Sequence, residues 1–275
     1  MTMHNEFEAA FTELLAERCT PAVVHRIDKG ASPDTLWKDV ERSGFLDALV
    51  PENQGGGGLS LRDVLGLVVA CGQHALPLPF AETMAVRAIC AQAGQVAPAG
   101  PVTLDAAAQW LPAEGLRNLQ AALNSALIAG ASTRVLQMSL EHVQQRVQFG
   151  KPIGSFQAVQ HQLAVMAEKA CSARMAAQLV FSADSHLPRA LLAAVAMTVA
   201  GDAATVMVSG SHAVHGAIGI TEEYDLQLFT RRLLSWRTSA GSPTYWSSQV
   251  ATHWRTAGGP DTVDFALHAF SQADI

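Results

Sequence analysis

One stretch of the chain concentrates residues whose types and spacing could bind a charged, partly aromatic ligand. It runs Arg146-Val147-Gln148-Phe149-Gly150-Lys151-Pro152-Ile153-Gly154 and continues into Phe156-Gln157-Ala158-Val159-Gln160-His161. The Arg146 guanidinium is a fixed fork of donors that suits an anion such as pyrophosphate. Phe149 offers an apolar face. Gln157 offers an amide at the start of the next helix, where the peptide dipoles also favour an anion. Taken alone, the same residues also read as a helix-end charge followed by a turn. Other catalytic patterns are missing. There is no G-x-x-x-x-G-K-[ST], no G-x-G-x-x-G and no G-x-S-x-G, so phosphate loops and nucleophile elbows have no support. No glutamate has a histidine three residues later, so the di-iron ligand pattern of helical bundles is absent. The ten histidines show no metal-ligand spacing, and most are expected on helix surfaces or loops.

The background for this stretch is a 275-residue chain that is 49% hydrophobic and only 15% charged. About 25% charged is ordinary for soluble proteins, so the deficit argues against disorder and for a large core or a face buried on another chain. Lys and Arg number 18 against 24 Asp and Glu, a net charge of −6 without a basic stripe. A nucleic-acid partner is therefore not expected. The start, MTMHNEFEAAF, has acidic residues and no apolar run, so a secretory signal is not expected there. No window holds about 18 uninterrupted apolar residues, so no membrane span is expected. Cys19, Cys71, Cys90 and Cys171 are scattered, without C-x-x-C, and read as reduced thiols of a cytoplasmic protein.

Alanine and leucine dominate and alternating β-branched runs are nearly absent, so the fold class expected is all-α. Helices are expected over 4–28, from Pro33 to Ser43, over 61–74 after a Ser60 cap, and over 81–94. Gly55 to Gly58 make a loop between them. Residues 95–112 hold two prolines and Gly100, with a hint of strand at Val102-Thr103-Leu104. They divide an N-terminal helical domain (1–94) from a C-terminal helical bundle (113–275). In the second half Leu116, Leu119, Leu123, Leu127, Ala131, Val135 and Met138 advance by three or four, marking one long helix that ends near Phe149. Gly150 to Gly154 form a turn and Ser155 caps a helix over 156–184. Pro188 opens another that ends around Gly210, Thr221 caps the next through Trp236, and Ser242-Pro243 starts a fifth that stops at Gly258-Gly259-Pro260. The tail 261–275 adds a short helix. Long helices on short turns make an antiparallel bundle.

The Arg146 stretch resembles the acyl-CoA dehydrogenase signature Arg-x-x-Phe-Gly-Lys-x-Ile-x-x-x-Gln. Two further stretches are similar to that family in the same order: Val50-Pro-Glu-Asn-Gln-Gly-Gly-Gly-Gly-Leu-Ser, and His215-Gly-Ala-Ile-Gly-Ile-Thr-Glu-Glu-Tyr-Asp-Leu with Arg231 following. The resemblance covers nearly the whole chain. It implies FAD bound between subunits and an acyl-CoA thioester substrate. Carried over by position, Arg146, Gln148 and Phe149 would approach the flavin's pyrophosphate and adenosine side, with Gln157 nearby. His212 to Gly216, including His215, and then Gly219 would supply a turn beside the cofactor of a neighbouring subunit. Ser242 and Thr244 would also touch the cofactor.

The chain departs from the family in two ways. The family's middle β-barrel domain has no counterpart, because only 95–112 separates the helical halves. The carboxylate that removes the α-proton is missing as well. Counting from Glu223-Tyr224 through Arg231 puts the family's Glu-Gly-Thr on Ala240-Gly241-Ser242. Relatives that carry the base on the first bundle helix would have it near Gln120, an amide. Glu222 and Glu223 fit a helix-start role. The implied function is one subunit of an FAD-dependent acyl-CoA dehydrogenase, an oxidoreductase acting on the acyl α,β-bond. It resembles the subunits of bacterial heteromeric members, including steroid-degrading ones, and would take its base from a second acyl-CoA dehydrogenase-like chain. The lone chain is then expected to be inactive. An alternative of another class is a non-enzymatic bundle remnant acting as a scaffold.

Overall fold

The computed structural model describes residues 3–182, 185–259 and 261–271. Eleven α-helices and one two-stranded hairpin account for the regular structure of these residues. The N-terminal section holds α1 (Met3–Arg18), α2 (Pro21–Asp28), α3 (Asp34–Arg42), α4 (Leu61–Gln73) and α5 (Phe80–Gln92). Next come α6 (Ala113–Gln145), the hairpin β1 (Val147–Gln148) and β2 (Lys151–Pro152), and α7 (Gln157–Val180). The chain closes with α8 (Ala190–His215), α9 (Leu226–Ser239), α10 (Pro243–Thr256) and α11 (Thr262–Ser271).

The all-α expectation holds, and the differences have local causes. The helix expected over 4–28 is two helices, because Pro21 cannot donate into a continuing ladder and instead opens α2. The strand hinted at Val102 does not form. Thr83 Oγ1 donates to the Val102 carbonyl at 3.0 Å and accepts from its N–H at 3.0 Å. One side chain thereby satisfies both backbone groups that a neighbouring strand would need. The Glu82 carboxylate accepts from Leu104 N at 3.0 Å, so α5 pins the linker and tucks Leu104 and Ala107 into the core.

α6 stops at Gln145 rather than Phe149, since Arg146 turns extended. Ser155 lies in a 3-10 turn with its hydroxyl on the Pro152 carbonyl, and Phe156 occupies the N-cap of α7. The helix expected to end at 184 ends at Val180, with 183 and 184 outside the described residues. Gly210 does not end α8, which runs on to His215, and α9 starts at Leu226 instead of Thr221. The Ser60 cap is present, with the Asp63 carboxylate accepting from Ser60 N at 2.8 Å.

α6 is the axis of the molecule and packs against α4, α7, α8 and α9. α4 approaches it through paired glycines. A Cβ on Gly130 would land on the Val69 carbonyl oxygen, and one on Gly72 would land on that of Leu127. Among the described residues α8 alone is long and apolar enough to cross a membrane; 56% of that apolar stretch is buried in this core. All four cysteines are free. Burial pushes the Cys19 thiol up to about 12 and the Cys71 thiol up as well, which makes both inert hydrophobes.

Gly130→Ala should lose about 1–3 kcal/mol, because the added methyl forces two helices apart. Gly201→Ala should be neutral or stabilising by up to about 1 kcal/mol, since its Cβ would meet only Arg237 Cγ at 3.7 Å. Thermal melts of the two variants check the pair. Equal melting temperatures would refute the contact's importance.

Candidate functional site

The expected site residues fall into two groups at opposite ends of α6. At its C-terminal end the hairpin pairs Val147 with Pro152 and Gln148 with Lys151. The two residues between them, Phe149 and Gly150, have φ of 53° and 77°. This turn shape matches the twist of a tight hairpin, and asparagine usually precedes the glycine in it. A phenylalanine there carries about 1–3 kcal/mol of backbone strain. Its ring is 90% exposed and meets the edge of Phe156, with centroids 6.0 Å apart. Among the described residues, a strained aromatic held this far out of the core gains little from burial. Beside it, Arg146 makes no ion pair among the described residues, and Gln148 is exposed. Gln157 is the first residue of α7, also exposed, next to that helix's free N–H groups.

The end of α8 joins this group. Gly216 closes α8 at φ 64° and ψ −143°, a conformation that favours glycine, and a Cβ there would meet open space. Gly219 serves packing instead, for a Cβ would press on His215 Cβ at 2.9 Å and Leu226 Cδ2 at 3.2 Å. His212 Nδ1 is buried and has no hydrogen-bond partner. His215 is not on the surface but 6% exposed, with Nδ1 2.8 Å from the Ser211 carbonyl and Nε2 3.3 Å from the Tyr224 hydroxyl. Its ring stacks on His142 with centroids 4.4 Å apart. Sequence reading missed His142 and Tyr224; the Met138-to-His142 spacing on one helical face was the available signal. Glu222 does not start a helix. It pairs with Lys29, the residue that follows α2, at 2.7 Å, alongside His25–Asp225 at 3.0 Å and Arg232–Asp28 at 2.9 Å.

The second group lies where α9 ends and α10 begins, against the start of α6. Ala240, Gly241 and Ser242 line a pocket of about 400 Å³ together with Arg117, Thr238, Ser239 and Tyr245. The Ser242 hydroxyl caps α10 by accepting from Tyr245 N at 3.1 Å, and Thr244 is exposed in the first turn. The two positions considered for a base, Ala240 and Gln120, are brought to the same region. Gln120 Nε2 donates to Asn124 Oδ1 at 3.0 Å, and the buried Asn124 amide donates to Ser239 Oγ at 2.8 Å and to the Trp236 carbonyl at 3.0 Å. Behind Gln120 stands a carboxylate that sequence reading overlooked: Glu82 Oε1 accepts from Gln120 Nε2 at 3.4 Å. Its other oxygen holds the linker. This carboxylate orients the amides and does not line the pocket.

The His142–His215 stack gives the first end a pH response. Burial, then a neighbouring positive charge on Arg146, lowers the His142 pKa below its ordinary 6.5. Burial is the leading cause for His215 too, partly opposed by its bond to the Ser211 carbonyl and reinforced by His142. Both bind protons more readily when unfolded, so their contribution to stability is complete above about pH 6.5 and falls as the pH drops below it. His215→Gln should flatten the decline in melting temperature between pH 7.5 and 5; an unchanged slope would remove the stack as its cause.

Comparison with known proteins follows this geometry. The family model for the N-terminal domain of acyl-CoA dehydrogenases matches residues 2–96, and the one for the C-terminal domain matches residues 114–253. Acyl-CoA dehydrogenase IpdE2 of Mycolicibacterium smegmatis is 38% identical over 119 residues, 43% of this chain and 37% of that protein's length. Among solved structures, the Tcur3481–Tcur3483 steroid acyl-CoA dehydrogenase (G363A variant) superposes with a TM-score of 0.80 at 18% identity. It covers 93% of this chain and 98% of that one. The ChsE4–ChsE5 complex of Mycobacterium tuberculosis gives 0.73 at 16% identity, over 93% and 98%. With both family domains matched in order on a fold of the same shape, the chain belongs to the acyl-CoA dehydrogenase family.

Proposed function

We propose that this chain is one subunit of an FAD-dependent acyl-CoA dehydrogenase, joined to a second, related chain that supplies the catalytic carboxylate and the covering β-domain. The observation that carries the reading is the separation of the two groups. The 33 residues of α6 span about 50 Å at ~1.5 Å per residue. Arg146 and Ala240 therefore serve different flavins, and each flavin is completed by a neighbouring chain. The apolar residues left exposed near the first end, Phe149, Val147, Leu140, Ile218 and Ile220, support a partner there. That Tcur3481–Tcur3483 and ChsE4–ChsE5 each join two chains supports a partner of the same kind.

The residues present suit the cofactor. The unpaired Arg146 fork and the free N–H groups of α7 would hold the pyrophosphate, with Gln148 and Gln157 as amide contacts and Phe149 against the adenosine. His212 to Gly216, with His215, and Gly219 would form the adjoining backbone turn, and the orphaned His212 Nδ1 would gain a partner. At the other end Ser242 and Thr244 would contact a second flavin. When bound, the flavin accepts the β-hydride. Ala240 has no group to take the α-proton, and Gln120 is an amide, so proton removal falls to the partner's carboxylate.

Two measurements test this. The visible absorption spectrum of the full chain, purified alone and with a co-expressed acyl-CoA dehydrogenase-like chain, should show flavin in the complex. Acyl-CoA oxidation should be confined to the complex. Robust activity from the lone chain overturns the division of labour, and absence of flavin in both samples favours the scaffold alternative. Separately, Phe149→Asn should stabilise the apo chain by about 1 kcal/mol, because asparagine tolerates the left-handed turn. It should also weaken flavin retention. A variant that is both stabler and equally flavin-loaded would show the ring has no cofactor role.

A further inference from the structure

Resting on the reading above, we infer that the pocket at Ala240 recognises a carboxylate carried by the acyl group itself, so that the substrates are CoA thioesters whose short acyl chains bear a second, ionised acid. The polar side chains of its wall favour an anion. The Arg117 guanidinium is 5.0 Å from the centre of the Tyr245 ring, and its NH1 donates to the Tyr245 hydroxyl at 3.2 Å. The phenol thus steadies the fork without neutralising it. No carboxylate lines the pocket among the described residues, and Arg117 makes no ion pair there. The Ser239 oxygen already accepts from Asn124, and the Ser242 oxygen from Tyr245 N. Both hydroxyl protons remain available to a ligand. A further donor stands behind the wall. Trp246 is 1% exposed, and its Nε1 has no hydrogen-bond partner. That atom lies 3.3 Å from where a Cβ on Gly241 would be, and Gly241 itself, at φ 138°, lines the pocket. The start of the 14-residue α10 adds its own partial positive charge.

A planar fork held on one edge matches a carboxylate in two-point contact better than a spherical charge would. The volume, about 400 Å³, lies within the usual range for small-ligand sites and suits a short chain. A cofactor phosphate is the other source of negative charge. The two-point geometry of the fork favours the acyl carboxylate, and the flavin content read in the test below separates the two sources.

The test titrates glutaryl-CoA and butyryl-CoA, thioesters with and without a terminal acid, into the full chain in the assembly in which it purifies. Calorimetry reads affinity and absorbance at the flavin bands reads cofactor content in the same samples. The wild type should prefer glutaryl-CoA by about 10- to 100-fold, the size of one charge-assisted hydrogen-bond pair. Arg117→Met should abolish that preference while leaving butyryl-CoA affinity and flavin content unchanged. Arg117→Lys should keep part of the preference, and Tyr245→Phe should reduce it by less than the methionine variant does. Equal affinities in the wild type, or no binding of either thioester, overturn the inference. So does an Arg117→Met variant that loses flavin yet keeps the wild-type preference, because the anion would then be the cofactor's phosphate. A flavin-free sample that still prefers glutaryl-CoA would keep this inference and remove the cofactor reading.

Discussion

The close approach of α4 and α6 at Gly72 and Gly130 is the contact on which the rest of the structure depends. Each glycine faces a backbone carbonyl of the other helix, so any side chain at either position would separate them. The approach joins the N-terminal helices to the bundle in one continuous apolar core. It fixes α6 as a rigid rod, and everything of chemical interest hangs from its two ends. Interiors packed at crystal-like density transmit such constraints, since a shift at one helix is felt by every neighbour. The ion pairs from α2 to the α9 region, with Arg232 and Asp28 only 15% and 22% exposed, hold the same two sections together from the outside.

A rod with a site at each end makes function a property of the assembly. Hydrophobic burial cannot explain a phenylalanine kept in the left-handed region with its ring in solvent, and the strain persists only because the hairpin on either side over-determines it. The same end carries an exposed, unpaired guanidinium and a buried imidazole nitrogen without a partner. The strained turn and the orphaned nitrogen cost free energy in an isolated chain, and in the proposed complex one charged aromatic ligand would relieve both.

Much of this was legible from sequence, for identifiable reasons. The 3.6-residue rhythm from Leu116 to Met138 marked α6, and Ser60 marked the start of α4, because both signals are local. Gly150 to Gly154 was readable as a turn, but the hairpin that turns at Phe149-Gly150 was not, since its strands are only two residues each. Long-range partners were invisible. Nothing in the spacing tells that His142 and His215, on different helices, would stack, or that Glu222 would reach back to Lys29. The hint of strand at Val102 failed for the same reason. Its N–H and carbonyl found Thr83, a partner nineteen residues away whose side chain imitates a neighbouring strand. Glu82 was overlooked because its importance comes from the linker and Gln120, neither of which is near it in sequence.

The pocket at Ala240 narrows what this chain can contribute to a reaction. Removing an α-proton needs an acceptor, but the polar side chains that face the pocket offer protons: a guanidinium, a phenol and two serine hydroxyls. The one carboxylate close by, Glu82, is engaged through both oxygens with N–H donors and stands behind the Gln120 amide. Freeing it would leave Leu104 N without its partner and loosen the linker that takes the place of the missing domain. An amide pair does not relay protons readily, so the Gln120–Asn124–Ser239 chain sets the direction of a hydroxyl and does not move charge. A site of donors around an alanine suits a negative group and offers no acceptor for a proton, which is what the proposed division of labour between two chains requires.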